Sequence, residues 1–156
     1  MAKNHLTKSL IPKSATKKNI PIYINKDATS LFDPNLEGDS AFVFTSLRHV
    51  QNDFQCFSEW SKQEMKDFWN FNSSIHEKTW SLVHGTSTKN KRNKSGVAMT
   101  HMSTDLYPNS EFKKKLSPDI TLFELRVTRK IRVHGFRDKS IFFICWLDKD
   151  HSICKM

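Results

Sequence analysis

A chain of 156 residues is about one domain's worth and long enough to bury a core without disulfides or metal, so a single compact body is expected. Its three cysteines, Cys56, Cys145 and Cys154, show no CxxC spacing, which argues for a reducing compartment and against a disulfide framework. Lys and Arg number 25 against 16 Asp and Glu, a formal charge of +9, and residues 86 to 139, with 13 Lys/Arg and 5 Asp/Glu, carry eight of those nine charges; the balance favours an acidic partner such as nucleic acid or a phospholipid surface.

No apolar run approaches the roughly 20 residues that span a bilayer, and the start, MAKNHLTKSLIPK, lacks the apolar centre of a signal peptide. A cytoplasmic protein without a membrane partner is expected. No P-loop, GxGxxG, GxSxG, HExxH or paired CxxC occurs, so the commonest nucleotide-binding, serine-hydrolase and zinc-enzyme chemistries lose support. His151 and Cys154 have ligand-like spacing but no second pair, and neither metal nor cofactor is expected.

Residues 1 to 40 read as a basic, largely flexible N-terminal arm and linker, and residues 41 to 156 as one domain. Lys3, Lys8, Lys13, Lys17 and Lys18 sit among Ser, Thr and Asn with too few apolar groups to offset ordering entropy. Ile20 to Ile24 suits a short edge strand because Pro21 removes a donor, and Asp33-Pro34 and Gly38 mark turns. Ala41 to Leu47 reads as a strand buried on both faces.

From Asp53 the apolar period becomes helical, with Phe54, Phe57, Met65 and Phe68 on one side of a wheel. Ser61 with Glu64 and Ser74 with Glu77 have the spacing of capping boxes, and Gly85 suits a left-handed C′ position. Residues 53 to 84 are therefore expected to form a helical hairpin.

Thr86 to Gly96 has four cations and no core side chain, an exposed loop. Val97 to Met102 gives a weak strand signal, and Ser110 is placed to cap a short helix, Glu111 to Leu116. From Phe123 to Val133 one parity is apolar except for Arg129, and a bend is expected near Thr128 to Lys130, because strands usually stop at about 10 residues. A two-residue loop at Asp138-Lys139 would set Ile131 opposite Trp146, Val133 opposite Ile144 and Gly135 opposite Phe142 on the core side. Arg132, His134, Phe143 and Cys145 then share the other face. The fold class is α+β: an antiparallel sheet of about four strands with the helical hairpin on one face and a basic opposite face.

That basic face carries the chemistry. Cleaving RNA without metal requires a base for the 2′-hydroxyl, an acid for the leaving oxygen and a cation on the phosphate, and histidine titrates near neutral pH. Arg132 is assigned to the phosphate, His134 or His151 to proton transfer, and Arg126 and Lys130 to support. Lys89, Lys91, Arg92 and Lys94, with the run Lys113, Lys114 and Lys115, are candidate phosphate anchors. Each has a plainer alternative: a polar face toward solvent, turn hydrogen bonds at Asp148 and Asp150, or solvated charge runs. His49, His76, His84 and His101 have no recognisable spacing.

Arg132-Val-His-Gly-Phe136, followed by Phe142-Phe143-Ile-Cys-Trp146-Leu-Asp148 and His151, resembles a small, poorly characterised prokaryotic family ending in an RxHGF hairpin and a WLDxxH turn. The order strand, helical hairpin, then three or four strands resembles RelE/ParE-type toxins of toxin–antitoxin systems. That resemblance implies a basic cytosolic protein directed to mRNA or the ribosome, a metal-independent endoribonuclease in the RelE branch, and an antitoxin or other acidic protein as partner. No catalytic position is carried over from it. The alternative is a non-catalytic nucleic-acid- or protein-binding component of a defence, anti-defence or mobile-element system. A DNA-binding module is disfavoured because the predicted helices lie in the near-neutral half.

Overall fold

The structure is a computed structural model, and it describes residues 36–86 and 97–154. The basic arm, the Ile20 to Ile24 strand, most of the linker and the loop cations Lys89, Lys91, Arg92 and Lys94 lie outside the described residues.

Within them the fold is α+β. Five strands form one open sheet: β1 (Phe44–Ser46), β2 (Met99–His101), β3 (Phe123–Arg126), β4 (Arg132–Asp138) and β5 (Ile141–Asp148), in the order β1-β5-β4-β3-β2. Strands β2 to β5 pair antiparallel in succession, and β1 adds in parallel beside β5. The first strand is therefore a half-buried edge strand, not one buried on both faces. Ala41 and Val43 are buried just before it, where their backbone bonds the link between two helices: Val43 N–H donates to the Lys78 carbonyl at 2.9 Å, and Trp80 N–H to the Ala41 carbonyl at 3.0 Å.

The long helix, α1, spans Lys62–His76 and starts at the predicted capping box: Ser61 Oγ accepts from Glu64 N–H at 3.2 Å and Ser61 N–H donates to Glu64 Oε2 at 2.6 Å. Residues 53 to 60, expected to be helical, form turns and a short 3-10 segment at Phe57–Glu59. The second predicted box does not cap. Ser74 lies inside α1, where its hydroxyl accepts from Lys78 Nζ at 3.1 Å, and α2 (Trp80–Gly85) is capped by Thr79. Gly85 is the last residue of α2 and is not left-handed; Thr86 ends the helix by donating its hydroxyl to the Val83 carbonyl at 2.7 Å.

Both helices cover one sheet face. Phe68, Phe71, Ile75, Trp80 and Val83 pack with Met99, Phe123, Leu125, Val133, Phe142, Ile144 and Leu147, and burying each of the larger side chains gives about 1.5–3 kcal/mol. The opposite face is also covered, and this corrects the open basic face. Tyr107, Leu122, Cys145, Trp146 and Ile153 form a second buried cluster, with Phe112, Leu116, Ile120 and Phe136 packed around it. The cover is the segment 103–122, which holds α3 (Glu111–Lys114), shorter than expected but capped as predicted by Ser110, whose Oγ accepts from Lys113 N–H at 3.0 Å.

The bend expected near Thr128 to Lys130 is a tight β3–β4 turn. Thr128 Oγ1 accepts from Ile131 N–H at 3.0 Å and from Lys130 N–H at 3.2 Å, a hydroxyl closing its own turn. The β4–β5 loop differs from expectation: it is Lys139-Ser140, with Lys139 at φ +53° and Asp138 paired with Ile141. A bulge follows, since Gly135 pairs with Ile144 and His134 with Trp146, leaving Cys145 as the extra residue. The shifted loop replaces the expected pairs Val133/Ile144 and Gly135/Phe142, and the bulge moves Trp146 to the second face, away from Ile131. Arg132, His134, Phe143 and Cys145 do share a face, and Trp146 and Asp148 join them.

Candidate functional site

At the β3–β4 turn end of the second face the apolar cluster gives way to charge. The strand register places Glu124 opposite His134, Arg126 opposite Arg132, and Arg132 opposite Asp148. All but the half-buried Arg126 are buried: His134 and Asp148 are 0 % exposed, Arg132 6 % and Glu124 8 %.

His134 is the centre. Its Nδ1 shares a 3.2 Å hydrogen bond with the Tyr107 hydroxyl, whose ring meets the imidazole edge-on at 5.4 Å. Its Nε2 lies 3.4 Å from Asp148 Oδ2 and 4.0 Å from Glu124 Oε2, charge contacts without the alignment of a hydrogen bond. Burial pushes the Tyr107 phenol far above its ordinary range, with Glu124 adding to the effect, so it stays a neutral hydroxyl.

Asp148 closes the turn after β5. Its Oδ1 accepts from Ser152 N–H at 2.7 Å and its Oδ2 from Ile153 N–H at 3.0 Å. Burial alone would raise its pKa; His134 and the two amides outweigh that and hold the carboxyl down at about 2. The turn-forming alternative for Asp148 is what the structure has. His151, assigned to proton transfer from the sequence, contacts Glu124, Nε2 to Oε2 at 3.7 Å.

His151 is the imidazole of the cluster that reaches solvent, with its side chain 22 % exposed and its backbone left-handed at φ +53°. Gln55 braces the same turn, donating Nε2 to Ser152 Oγ at 2.9 Å and accepting Asp150 N–H at 3.1 Å. Lys130 lies alongside in an exposed ion pair, 2.6 Å from Asp150; the hydrogen bond to that carboxylate raises the ammonium's pKa.

Arg132 is partly committed. Its Nη1 donates to the carbonyls of Thr128 (2.7 Å) and Ile131 (3.0 Å), and its Nε lies 3.6 Å from Glu124 Oε1. Burial pulls the guanidinium below its ordinary range, Glu124 opposes this, and Arg126 adds to it. Arg126 Nε is buried without a hydrogen-bond partner, as are Glu124 Oε2 and His134 Nε2.

No family model, curated protein or solved structure matches the chain. The site is therefore read from its own geometry.

The structure brings Arg126, Arg132, His134 and His151 to one end of the second face and leaves Lys113 and Lys114 on α3 and Lys115 at its C-cap. Lys113 Nζ donates to the Tyr107 carbonyl at 2.8 Å, fastening the cover, and Lys114 pairs with Glu111 at 2.7 Å. Glu124, Tyr107 and Gln55 were not anticipated. Glu124 was visible only as an acid on the basic parity of its strand, and the other two reach the site from distant segments. Cys145 lies in the bulge, where burial pushes its thiol up to about 12, unsuited to act as a nucleophile. Among the described residues no group of three or more His, Cys, Asp or Glu could hold a metal ion, and no helix is long and apolar enough to cross a membrane.

Proposed function

We propose that the chain is an RNA-directed, toxin-like protein that cuts a phosphodiester without metal at the solvent edge of this cluster. The observation that supports the reading is the meeting of a cross-strand Arg126–Arg132 pair with Glu124 and the part-exposed His151. Two like charges directly opposite on a sheet are unfavourable, and an anion received between them relieves the repulsion. In this reading the phosphate comes within reach of His151, whose Nε2 lies 3.7 Å from Glu124 Oε2. In the proposed reaction His151 takes the 2′-hydroxyl proton as the 2′ oxygen bonds phosphorus, and the P–O5′ bond breaks, its oxygen taking a proton from water. His134 is enclosed and acts through Tyr107, Glu124 and Asp148 as a positioning residue.

The second reading, a non-catalytic binding component of a defence or mobile-element system, draws on Arg132, much of whose donor capacity is spent on backbone carbonyls. One experiment separates the two: incubation of the purified full chain with labelled RNA in a chelator. His151→Asn removes the proton carrier while tolerating the left-handed backbone, as asparagine does. Cleavage by wild type that is lost in this variant, with RNA binding retained, supports the catalytic reading. Binding without turnover in wild type supports the second. No RNA binding at all overturns both as RNA-directed readings.

A further inference from the structure

Trp69 lies on α1 and is 54 % exposed, although its neighbour Phe68 is fully buried in the core. Lys66 and Lys62 precede it by three and seven residues, which puts all three on one helix face. With Met65 and Asn70 they line a shallow cleft of about 550 Å³. Asn70 also lines a second cleft, of about 500 Å³, that leads past Ser74 and Lys78 to Arg126 and Thr128 at the end of β3. Arg126 faces Arg132 across the β3–β4 pair. The two clefts thus share Asn70, and the second ends at Arg126, the one residue of the candidate site that lines it.

The charges along it have one dominant sign: Lys62, Lys66, Lys78 and Arg126 line the two clefts against Asp67 alone. From Lys62 to Ser74 the helix rises about 18 Å. A cationic groove leading from an aromatic platform is how single-stranded nucleic acid is held without regard to sequence. Asn70, Ser74 and Thr128 add hydrogen-bonding groups suited to sugars and phosphates. A helical peptide partner would instead need a stripe of apolar anchors at i, i+3, i+4 and i+7, and in the first cleft α1 offers only Met65 and Trp69 among basic and polar side chains.

We infer that this face of α1 is a track for single-stranded RNA: a base stacks on Trp69, and the backbone passes Asn70 and Lys78 to present a phosphate to Arg126. The inference rests on the RNA-directed reading above and names the form of the substrate and its path.

The test is fluorescence anisotropy of the full chain with a labelled single-stranded RNA oligomer and with the same sequence as a duplex, both in chelator. Trp69→Ala should weaken single-strand binding by about fivefold to a hundredfold. Trp69→Phe should restore most of it, and duplex affinity should be unchanged by either. A urea midpoint close to wild type controls for folding, as expected for a side chain more than half in solvent. Unchanged single-strand affinity in Trp69→Ala, with loss in Arg126→Ala, overturns the track and keeps the RNA reading. Equal loss toward duplex overturns base stacking. No RNA binding by wild type overturns the underlying reading itself.

Discussion

Gly135→Ala is the substitution that most directly tests how the site is built. A methyl on Gly135 would lie 1.8 Å from the Phe143 carbonyl oxygen and 2.9 Å from its carbon, and 3.1 Å from Phe142 Cε2. The first contact falls 1.2 Å short of the 3.0 Å that real Cβ atoms require, and the opposing atoms are backbone, so no rotamer change can relieve it. The strands must part at the bulge, disturbing the register that sets His134 beside Trp146 and Arg132 beside Asp148. Loss of flanking backbone hydrogen bonds and partial exposure of a closed core cost on the order of 3–5 kcal/mol, a large share of the roughly 5–15 kcal/mol that holds a domain together. In urea unfolding followed by tryptophan fluorescence, the midpoint should fall by about 2 M, taking an m-value of about 2 kcal/mol per molar. Gly85→Ala is the matched control: nothing lies within 4 Å of its added methyl and its φ is not left-handed, so helix propensity should raise stability by up to about 1 kcal/mol. A Gly135→Ala midpoint within about 0.3 M of wild type would refute the close approach and the bulge with it.

Two further outcomes follow from the same structure. Asp148→Asn keeps one acceptor oxygen where two are used and turns an amide toward a backbone N–H, which should cost about 2–3 kcal/mol at pH 7. The folded carboxyl sits at about 2 against an ordinary 3.8, so its stabilisation, about 2 kcal/mol, is present above pH ~3.8 and lost as pH falls toward 2. The gap between wild type and Asp148→Asn in urea midpoint should narrow over that window, and a constant gap would count against the buried carboxylate. Ser61→Ala removes the acceptor for Glu64 N–H and should lower stability by about 1 kcal/mol, read as a midpoint shift without change in RNA binding; no shift would mean the box contributes nothing.

Local signals carried the α+β class, the Ser61 and Ser110 caps and the break between β3 and β4, because each depends on residues a few positions apart. Register did not survive the same treatment. A loop shifted by one residue, plus one bulge residue at Cys145, reassigned Trp146 to the other face, and nothing in an alternating pattern marks a bulge beyond an isolated glycine on the partner strand. The cover over the second face was equally hidden. Tyr107, Phe112, Leu116 and Ile120 are spread through a segment read as loop and short helix, and their common purpose is visible only once Trp146 stands beneath them. Gln55 was missed for a related reason: its bonds to Asp150 and Ser152 span more than 90 residues.

Covering the face changes what its charges mean. A solvated sheet face carries Arg, Lys and His at little cost, and four such residues there would need no explanation. Burying the charges of Glu124, Arg132 and Asp148 costs several kcal/mol per ion before pairing returns it, and apolar residues of similar volume commonly serve stability as well or better. The same face, a few residues along, does fill with Trp146, Tyr107 and Phe112. The buried charged groups lie at the end where His151 meets solvent, and three atoms there, Glu124 Oε2, His134 Nε2 and Arg126 Nε, have no hydrogen-bond partner. On the reading proposed above, an anion drawn to Arg126 would make use of that arrangement. On that reading the reacting group is His151 at the turn end, and His134, bonded to Tyr107, is a positioning residue behind it.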